Sequence, residues 1–407
     1  MAAPEVEEIR SDFPLLRPSA GGEPPIYLDS ACTTLRPEPV IAAVAEFQRR
    51  SVSCHGRTSH RLGREATAAY EDSRAAVARF LGASDPDEVV FVRNATEGIN
   101  LVASCGPLAA GDAVLTTGIE HNSNRLPWQR LDGRGIGHRV HRVRLDQPFD
   151  LDAFERDLTD DVRLVALPLV SNLCGITLPV AQIARRVHAR GALLLVDAAQ
   201  APTTHELDVE RLGADFLTIS FHKMFGPASI GALWARRELL AAMPPFLAGG
   251  GTVEDVTATG VEWAALPERF DAGVANVEGA VGARAAIDYL ARVGGPDRIR
   301  RHVEELNRLA TEGLRGHRRL HLIGPADPAA RGSIFAFFVD GLESEALARL
   351  LDTREGIMVR HGKLCVHAWF HEEGIPDSVR ASFSLYNTAD EVRRFVRIVG
   401  NALALLE

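Results

Sequence analysis

Hydrophobic and polar positions follow two different patterns along the chain. From about residue 88 to 235, short apolar runs alternate with amphipathic stretches, which is typical of a parallel sheet with helices on its faces. The predicted strands are 88–93, 113–116, 139–144, 162–168, 192–197, 216–220 and 231–235, and the predicted helices include 97–105, 124–131, 151–158 and 180–190. The strand–helix–strand order predicts a three-layered α/β domain.

After about residue 265 the pattern changes. A long helical run over 279–316, broken at 294–296, leads to predicted strands at 320–323, 333–339, 358–359 and 379–386 and predicted helices at 344–352 and 389–405. This pattern predicts a smaller α+β domain made of residues 1–20 and 266–407, beside a larger domain over 21–265. The sequence contains no internal repeat or low-complexity linker, so we expect the two domains to pack closely.

Composition and charge exclude several classes of protein. The 407 residues are 46% hydrophobic and 24% charged, which excludes a disordered or collagen-like chain. The net charge of −9 argues against nucleic-acid or anionic-membrane partners and favours a small-molecule substrate. No run approaches ~20 apolar residues, and the N-terminus has acidic residues where a signal peptide would be basic. We therefore predict a cytoplasmic protein.

Cysteine and lysine are the informative reactive residues. The five cysteines are scattered without a CxxC pair, so neither a disulfide framework nor a metal site is predicted. We expect Cys32, Cys105 and Cys174 to be small buried hydrophobic residues. Cys365 differs because it lies in the basic segment 360–367, and nearby cations favour a thiolate. Lysine occurs only at Lys223 and Lys363, so an ε-amino group has two candidates.

An acid and an amine follow two of the predicted strands. Asp197 ends the strand 192–197, and Lys223 comes directly after 216–220. Ligands of open α/β sheets bind beyond the carboxyl ends of the strands, so both side chains should face one crevice. Pyridoxal phosphate requires such a pair, in which the lysine forms the Schiff base and the carboxylate keeps the pyridine nitrogen protonated. For Asp197 alone, a carboxylate that caps a turn is an equally good interpretation.

A phosphate anchor is predicted close to this pair. The segment 93–97 follows a strand and opens a helix, so its backbone N–H groups and the Thr96 hydroxyl are suited to a phosphate. Ser220 and His222, which flank the lysine, are further candidate donors.

Several segments together carry a resemblance to a known family. The chain resembles the class V, fold-type I pyridoxal phosphate enzymes, and within them the cysteine desulfurase and selenocysteine lyase branch of the sulfur-mobilisation type. The resemblance runs in order from about Phe13 to Asn387. The segments that carry it are RSDFPLL, YLDSA, NATEGINLVA, EHNSNRLPWQ, VDAAQ, SFHKMFGP, DAGVAN, VRHGKLC and RASFSLYNT.

The resemblance implies a role for each cofactor residue. His121 would stack on the pyridine ring and act as proton donor or relay, while Asp197 would pair with the ring nitrogen. Gln200 would bind the phenolic oxygen, and Lys223 would be the catalytic Schiff-base lysine. The phosphate would be held by Ala95, Thr96, Ser220 and His222.

The resemblance also implies a substrate side. Asn172 and Arg380 would bind the amino-acid carboxylate, which suits the bidentate fork of arginine, and Arg360 would be a further substrate-binding residue. Cys365 stands where the family places its nucleophile. The expected reaction converts L-cysteine, and also L-selenocysteine, to alanine, with a persulfide on Cys365 that supplies a protein acceptor for cofactor or iron–sulfur cluster biosynthesis. A homodimer is also implied.

Two departures from the family pattern keep alternatives open. Val274 stands where the family has a threonine that contacts the phosphate of the partner subunit's cofactor, and Lys363-Leu364 replaces a His-His pair before Cys365. Acid–base help is then expected from Lys363 or His361. The alternatives are another class V enzyme (a C–S lyase, an epimerase or an aminotransferase) and a nicotinamide-dependent dehydrogenase. The dehydrogenase is disfavoured because no dinucleotide fingerprint follows a predicted strand.

Overall fold

The strands of the protein follow the apolar runs of the sequence. A computed structural model describes residues 5–18 and 23–406. In chain order the strands are β1 (Ile26–Tyr27), β2 (Val89–Val92), β3 (Ala113–Thr117), β4 (Gly137–His141), β5 (Val162–Pro168), β6 (Leu193–Asp197), β7 (Phe216–Ser220), β8 (Gly231–Ala235), β9 (Val253–Val256), β10 (Val261–Trp263), β11 (Leu320–Ile323), β12 (Ile334–Val339), β13 (Ile357–Met358), β14 (Arg360–Gly362) and β15 (Ser378–Ser382).

Helices occupy most of the segments between the strands. Two of them show why they begin where they do: Asn94 accepts a hydrogen bond from the Glu97 N–H, and Thr388 forms a capping box with Glu391. The helices are α1 (Val6–Ser11), α2 (Glu38–Arg50), α3 (Arg61–Phe80), α4 (Ala95–Cys105), α5 (Leu126–Gln129), α6 (Leu151–Asp157), α7 (Val180–Ala189), α8 (Val209–Leu212), α9 (Arg237–Ala242), α10 (Val277–Arg292), α11 (Gly295–Gly313), α12 (Ser344–Glu355), α13 (His367–Glu372) and α14 (Ala389–Ala404).

The central sheet has seven strands in the order β2-β8-β7-β6-β5-β3-β4. The strands from β4 to β7 pair in parallel, whereas β8 is antiparallel to both of its neighbours. Strands β3, β7 and β8 are buried along their whole length, as expected for a sheet covered on both faces. The predicted α/β fold is confirmed. Parallel pairing brings the carboxyl ends of β5, β6 and β7 to one edge of the sheet.

A second sheet lies in the C-terminal part of the chain. It has four antiparallel strands in the order β11-β12-β15-β14. One continuous apolar core includes both Leu167 of the central sheet and Phe337 of the second. The division into residues 21–265 and residues 1–20 with 266–407 stays a prediction. Within residues 5–18 and 23–406, no helix has the length and apolar character to cross a bilayer.

Some predicted elements differ from the observed ones. The predicted strand 139–144 is displaced, because β4 covers 137–141 and the exposed Arg142 and Arg144 pair with acidic side chains beyond it. The predicted helix 124–131 is the single turn α5 followed by a 3-10 segment. Helices α2 and α3 were not predicted, and α3 buries mostly small residues, which leave a weak apolar pattern. The predicted break at 294–296 is confirmed, since α10 ends and α11 begins there.

Candidate active site

All twelve predicted site residues line one cavity. It has a volume of about 370 Å³ and lies at the carboxyl ends of β5, β6 and β7. Its other side is lined by residues of β14 and β15 and of the turn after β14. A larger cavity of about 690 Å³ elsewhere contains neither lysine. The residues that the smaller cavity brings together are Ala95, Thr96, His121, Asn172, Asp197, Gln200, Ser220, His222, Lys223, Arg360, Cys365 and Arg380. Their individual roles stay predictions.

Asp197 and Lys223 form the buried acid–amine pair of this cavity. The Asp197 Oδ1 accepts a hydrogen bond from the Ala199 N–H at 3.0 Å. Burial raises the pKa of Asp197, against the attraction of Lys223. Burial likewise lowers the pKa of Lys223, and Arg380 lowers it further, while Asp197 opposes both. A lysine with a lowered pKa supplies more neutral amine, which is the form that attacks a carbonyl.

The N-terminus of α4 forms a cradle beside Lys223. The Ser220 Oγ accepts a hydrogen bond from the Ala95 N–H at 2.9 Å, which ties the start of α4 to the end of β7. Gly98 permits this close packing, because a Cβ there would lie 2.6 Å from the Thr218 Oγ1. Burial lowers the pKa of His222 to about 4, so its ring is neutral at pH 7. A helix N-terminus with hydroxyl and imidazole groups fits a phosphate.

His121 is held in one tautomer. Its Nδ1 accepts a hydrogen bond from the Ser123 N–H at 3.1 Å, so a neutral ring carries its proton on Nε2. The Ser123 Oγ also lies 2.7 Å from the Thr96 Oγ1, which connects His121 to the cradle. Burial, together with the positive charges of Lys223 and Arg380, lowers the pKa of His121 to about 3. The ring is therefore a neutral, oriented N–H donor.

Arginine and amide groups line the wall opposite the cradle. Arg380 is buried and donates to the Asn172 carbonyl at 2.9 Å, while its Nε has no hydrogen-bond partner among the described residues. An unpaired, buried guanidinium N–H is costly, so it fits a carboxylate ligand. The Asn172 Nδ2 already donates to the Leu364 carbonyl at 2.8 Å. The Gln200 Nε2 similarly donates to the Ala31 carbonyl at 2.7 Å.

Arg360 has partners of its own at this wall. It forms an ion pair with Asp29 at 2.6 Å, and the same Nη2 lies 2.9 Å from the Cys32 Sγ. Asp29 also lies 3.6 Å from Arg380. The single carboxylate of Asp29 therefore lies between the two guanidinium groups, partly neutralises the positive charge of both and holds them at a fixed separation.

Cys365 lies on a strained turn at the mouth of the cavity. Leu364 and Cys365 have φ values of 51° and 59°, a region that non-glycine residues occupy at a cost of about 1–3 kcal/mol each. The turn is held on both sides, since Asn172 donates to the Leu364 carbonyl and the Asn122 N–H donates to the Cys365 carbonyl at 2.7 Å. The Cys365 thiol is exposed. Strain held in place by long-range hydrogen bonds is typical of a functional residue.

The acid–base help beside Cys365 that is expected from Lys363 or His361 stays a prediction. The Lys363 Nζ lies 3.3 Å from the His371 Nε2, and neither Lys363 nor His361 lines the cavity. Cys32 and Cys105 were expected to be buried hydrophobic residues, and this is wrong because both are half-buried. Cys32 also lines the cavity beside Arg360. The sequence signal that could have found Cys32 is its place directly after the YLDSA segment.

Comparisons with known proteins identify the family of this chain. The family model of the class-V aminotransferases matches residues 26–395. A probable cysteine desulfurase of Halobacterium salinarum is 40% identical over 403 residues, which are 98% of this chain and 96% of that protein. The apo structure of a cysteine desulfurase from Thermococcus onnurineus NA1 superposes with a TM-score of 0.92 at 36% identity, over 99% of each chain.

A second solved structure extends this agreement. The cysteine desulfurase CsdA (S-sulfonic acid) of Escherichia coli has a TM-score of 0.89 at 31% identity, over 99% of this chain and 100% of that one. The predicted family is therefore confirmed. This chain belongs to the class-V aminotransferases and, within them, to the pyridoxal-phosphate-dependent cysteine desulfurases.

Proposed function

We propose that this protein converts L-cysteine to L-alanine and carries the released sulfur as a persulfide on Cys365. The observation that carries this proposal is the convergence of Cys365, Lys223 and the unpaired Arg380 N–H on one cavity. Bound pyridoxal phosphate supplies the electron sink that makes the Cα proton of an amino acid acidic. Its phosphate fits the α4 cradle, and its pyridine nitrogen fits the buried Asp197 carboxylate.

Residues of the chain bind the substrate, transfer its protons and attack its sulfur. Arg380 binds the substrate carboxylate through its guanidinium, and the Lys223 amine, whose pKa is lowered by burial, removes the Cα proton. The Cys365 thiolate attacks the Sγ of the substrate, so an S–S bond forms as the Cβ–Sγ bond breaks. The electron pair of that bond stays on the substrate, which becomes alanine by taking back the Cα proton held on Lys223 and the proton that the Cys365 thiol gave up. The neutral His121 ring acts as a relay and is not the net source of a proton.

A product assay tests this function against its closest rival. Purified holoenzyme given L-cysteine and a thiol should produce alanine and sulfide in equal amounts. Pyruvate in place of alanine would identify a β-eliminating C–S lyase and contradict the proposal. Racemised cysteine or an amino-group acceptor requirement would similarly indicate an epimerase or an aminotransferase.

Replacing Arg380 by lysine should raise the KM for L-cysteine by about 10- to 100-fold. The reason is that a point charge replaces a planar guanidinium whose Nε has no hydrogen-bond partner within the part of the chain that the structure describes and which suits the substrate carboxylate. Steady-state kinetics measures the change. The control is Arg397→Lys, since Arg397 is an exposed arginine that pairs with Glu355. Equal KM values for both variants would contradict the assigned role.

Acid should destabilise the fold through His121. Its pKa is about 3 in the folded chain against an ordinary value of 6.5, so between these values the unfolded chain binds the extra proton. Stability at this site is present above about pH 6.5 and is lost as the pH falls, by up to about 1.4 kcal/mol per pH unit. Urea unfolding of cofactor-free protein should show a shallower pH slope for His121→Gln. The exposed His361→Gln variant should keep the original slope.

We also propose a homodimer. Val256, Val261 and Trp263 expose apolar side chains on the two-stranded β9–β10 sheet, and Val274 is 75% exposed nearby in the chain. Exposed apolar groups that cluster on one element favour an interface. Light scattering should give twice the mass of one chain, and Trp263→Lys should lower it at micromolar concentration. A monomeric wild-type protein would contradict the dimer.

Val274 bears on cofactor affinity in this dimer. Its side chain offers no hydroxyl, so the contact to the phosphate in the partner subunit that the family pattern implies has no donor here. We propose that cofactor is retained chiefly through the α4 cradle and Lys223 of the same chain. A protein sulfur acceptor, selenocysteine as a second substrate and a cytoplasmic location remain part of the proposal.

A further inference from the structure

A second thiol shares the cavity with Cys365. Cys32 lies in the turn between β1 and α2, where its N–H donates to the Asp29 carbonyl at 3.0 Å. It is half-buried, and its Sγ lies 2.9 Å from the Arg360 Nη2. Of the five cysteines, which are all among the described residues, only Cys32 and Cys365 line this cavity.

Both thiols act electrostatically on the same amine. Burial lowers the pKa of Lys223, and Cys32 and Cys365 are both among the groups that oppose this shift, which places both within electrostatic range of that side chain. Burial lowers the pKa of Arg380, and Asp29 and Cys32 oppose that shift. Two cysteines and three cationic residues, Lys223, Arg360 and Arg380, therefore line one space of about 370 Å³.

Arg360 is placed to hold Cys32 rather than to move with a ligand. Its ion pair with Asp29 at 2.6 Å fixes the guanidinium, and the same Nη2 contacts the Cys32 sulfur. The Cys32 sulfur therefore has a fixed guanidinium in direct contact with it. Beside Cys365, in contrast, Lys363 contacts His371 outside the cavity.

We propose that Cys32 is a second sulfur carrier that accepts the outer sulfur of the Cys365 persulfide. The inference rests on the proposed function, because the persulfide must form first. The Cys32 sulfur attacks the outer sulfur, so a new S–S bond forms on Cys32 while the S–S bond on Cys365 breaks. Cys365 leaves as a thiolate and takes up the proton released by Cys32. No oxidant or reductant is consumed.

The direction of the attack follows from where the outer sulfur originates. That sulfur comes from a substrate held inside the cavity. The turn that carries Cys365 is fixed at the mouth, because Asn172 donates to the Leu364 carbonyl and the Asn122 N–H donates to the Cys365 carbonyl. The outer sulfur is therefore on the interior side, which Cys32 also lines. Transfer to Cys32 frees Cys365 for another turnover, so each subunit holds two transferable sulfurs.

Site mapping of sulfur tests the relay directly. Holoenzyme would be mixed with L-cysteine without an added thiol, alkylated, digested, and analysed by peptide mass spectrometry. We expect an additional sulfur on both the Cys32 and the Cys365 peptides of the wild type. Cys32→Ser and Cys32→Ala should carry it on Cys365 alone, and Cys365→Ser on neither peptide. The control is Cys105→Ser, which changes another half-buried thiol outside the cavity.

The amount of alanine released before a sulfur acceptor is added gives a second test of the transfer to Cys32. Before any sulfur acceptor is added, the wild type should release about twofold more alanine per active site than the Cys32 variants. Additional sulfur confined to Cys365 in the wild type would overturn the relay while leaving the proposed function intact. A Cys32–Cys365 disulfide with free sulfide would also overturn it. Absence of additional sulfur from Cys365 itself would instead contradict the proposed function.

Discussion

Lys223→Ala will abolish the visible absorption band of covalently bound pyridoxal phosphate and lower the rate of alanine formation by at least about 10²–10⁴-fold. The expectation rests on a single amine that the structure places in the cavity, within reach of the Asp197 charge. Alanine leaves no group at this position to form the Schiff base or to move the Cα proton. Absorption spectra and single-turnover alanine release measure the two effects separately.

The chain offers a matched control for this variant. Lys363 is the other lysine of the sequence, and its amine contacts His371 outside the cavity. Lys363→Ala should therefore keep both the absorption band and the rate. A band that survives in Lys223→Ala but is lost in Lys363→Ala would reverse the assignment of the two lysines.

Cys365→Ser will lower turnover of L-cysteine by at least about 100-fold, the equivalent of ~2.7 kcal/mol of transition-state stabilisation. Serine has no sulfur to form the S–S bond that carries the product sulfur away. The absorption band of the cofactor should be unchanged, since Lys223 and Asp197 are untouched. Turnover of L-selenocysteine should be less affected, because selenium is the better leaving group and depends less on the thiol.

The control for this second variant is Cys54→Ser. Both Cys54 and Cys365 are exposed, but Cys54 does not line the cavity. Cys54→Ser should keep full desulfuration activity. Full activity of Cys365→Ser with an added thiol acceptor would show that another group, with Cys32 the first candidate, attacks the substrate sulfur.

The part of the site that lies at the ends of strands could be predicted from the sequence. Asp197 and Ser220 end β6 and β7, and parallel pairing of these strands brings them to one edge. The start of α4 was predictable in the same way, because Asn94 is a capping residue that follows an apolar run. The assignment of His121, Asn172 and Arg380 came instead from the family resemblance of several segments.

The sequence by itself determined the α/β fold, the family and the residues at the strand ends, because strand periodicity and helix capping depend on neighbours in the chain. Only the tertiary structure decided the wall formed by Asp29, Arg360 and Cys32, whose contacting thiol and guanidinium are 328 residues apart. It also decided that Lys363 lies outside the cavity and that Arg380 keeps an unpaired N–H. The contacts with Arg360 arise where the segment after β1 packs against β14 and β15 of the second sheet, and local patterns carry no information about them.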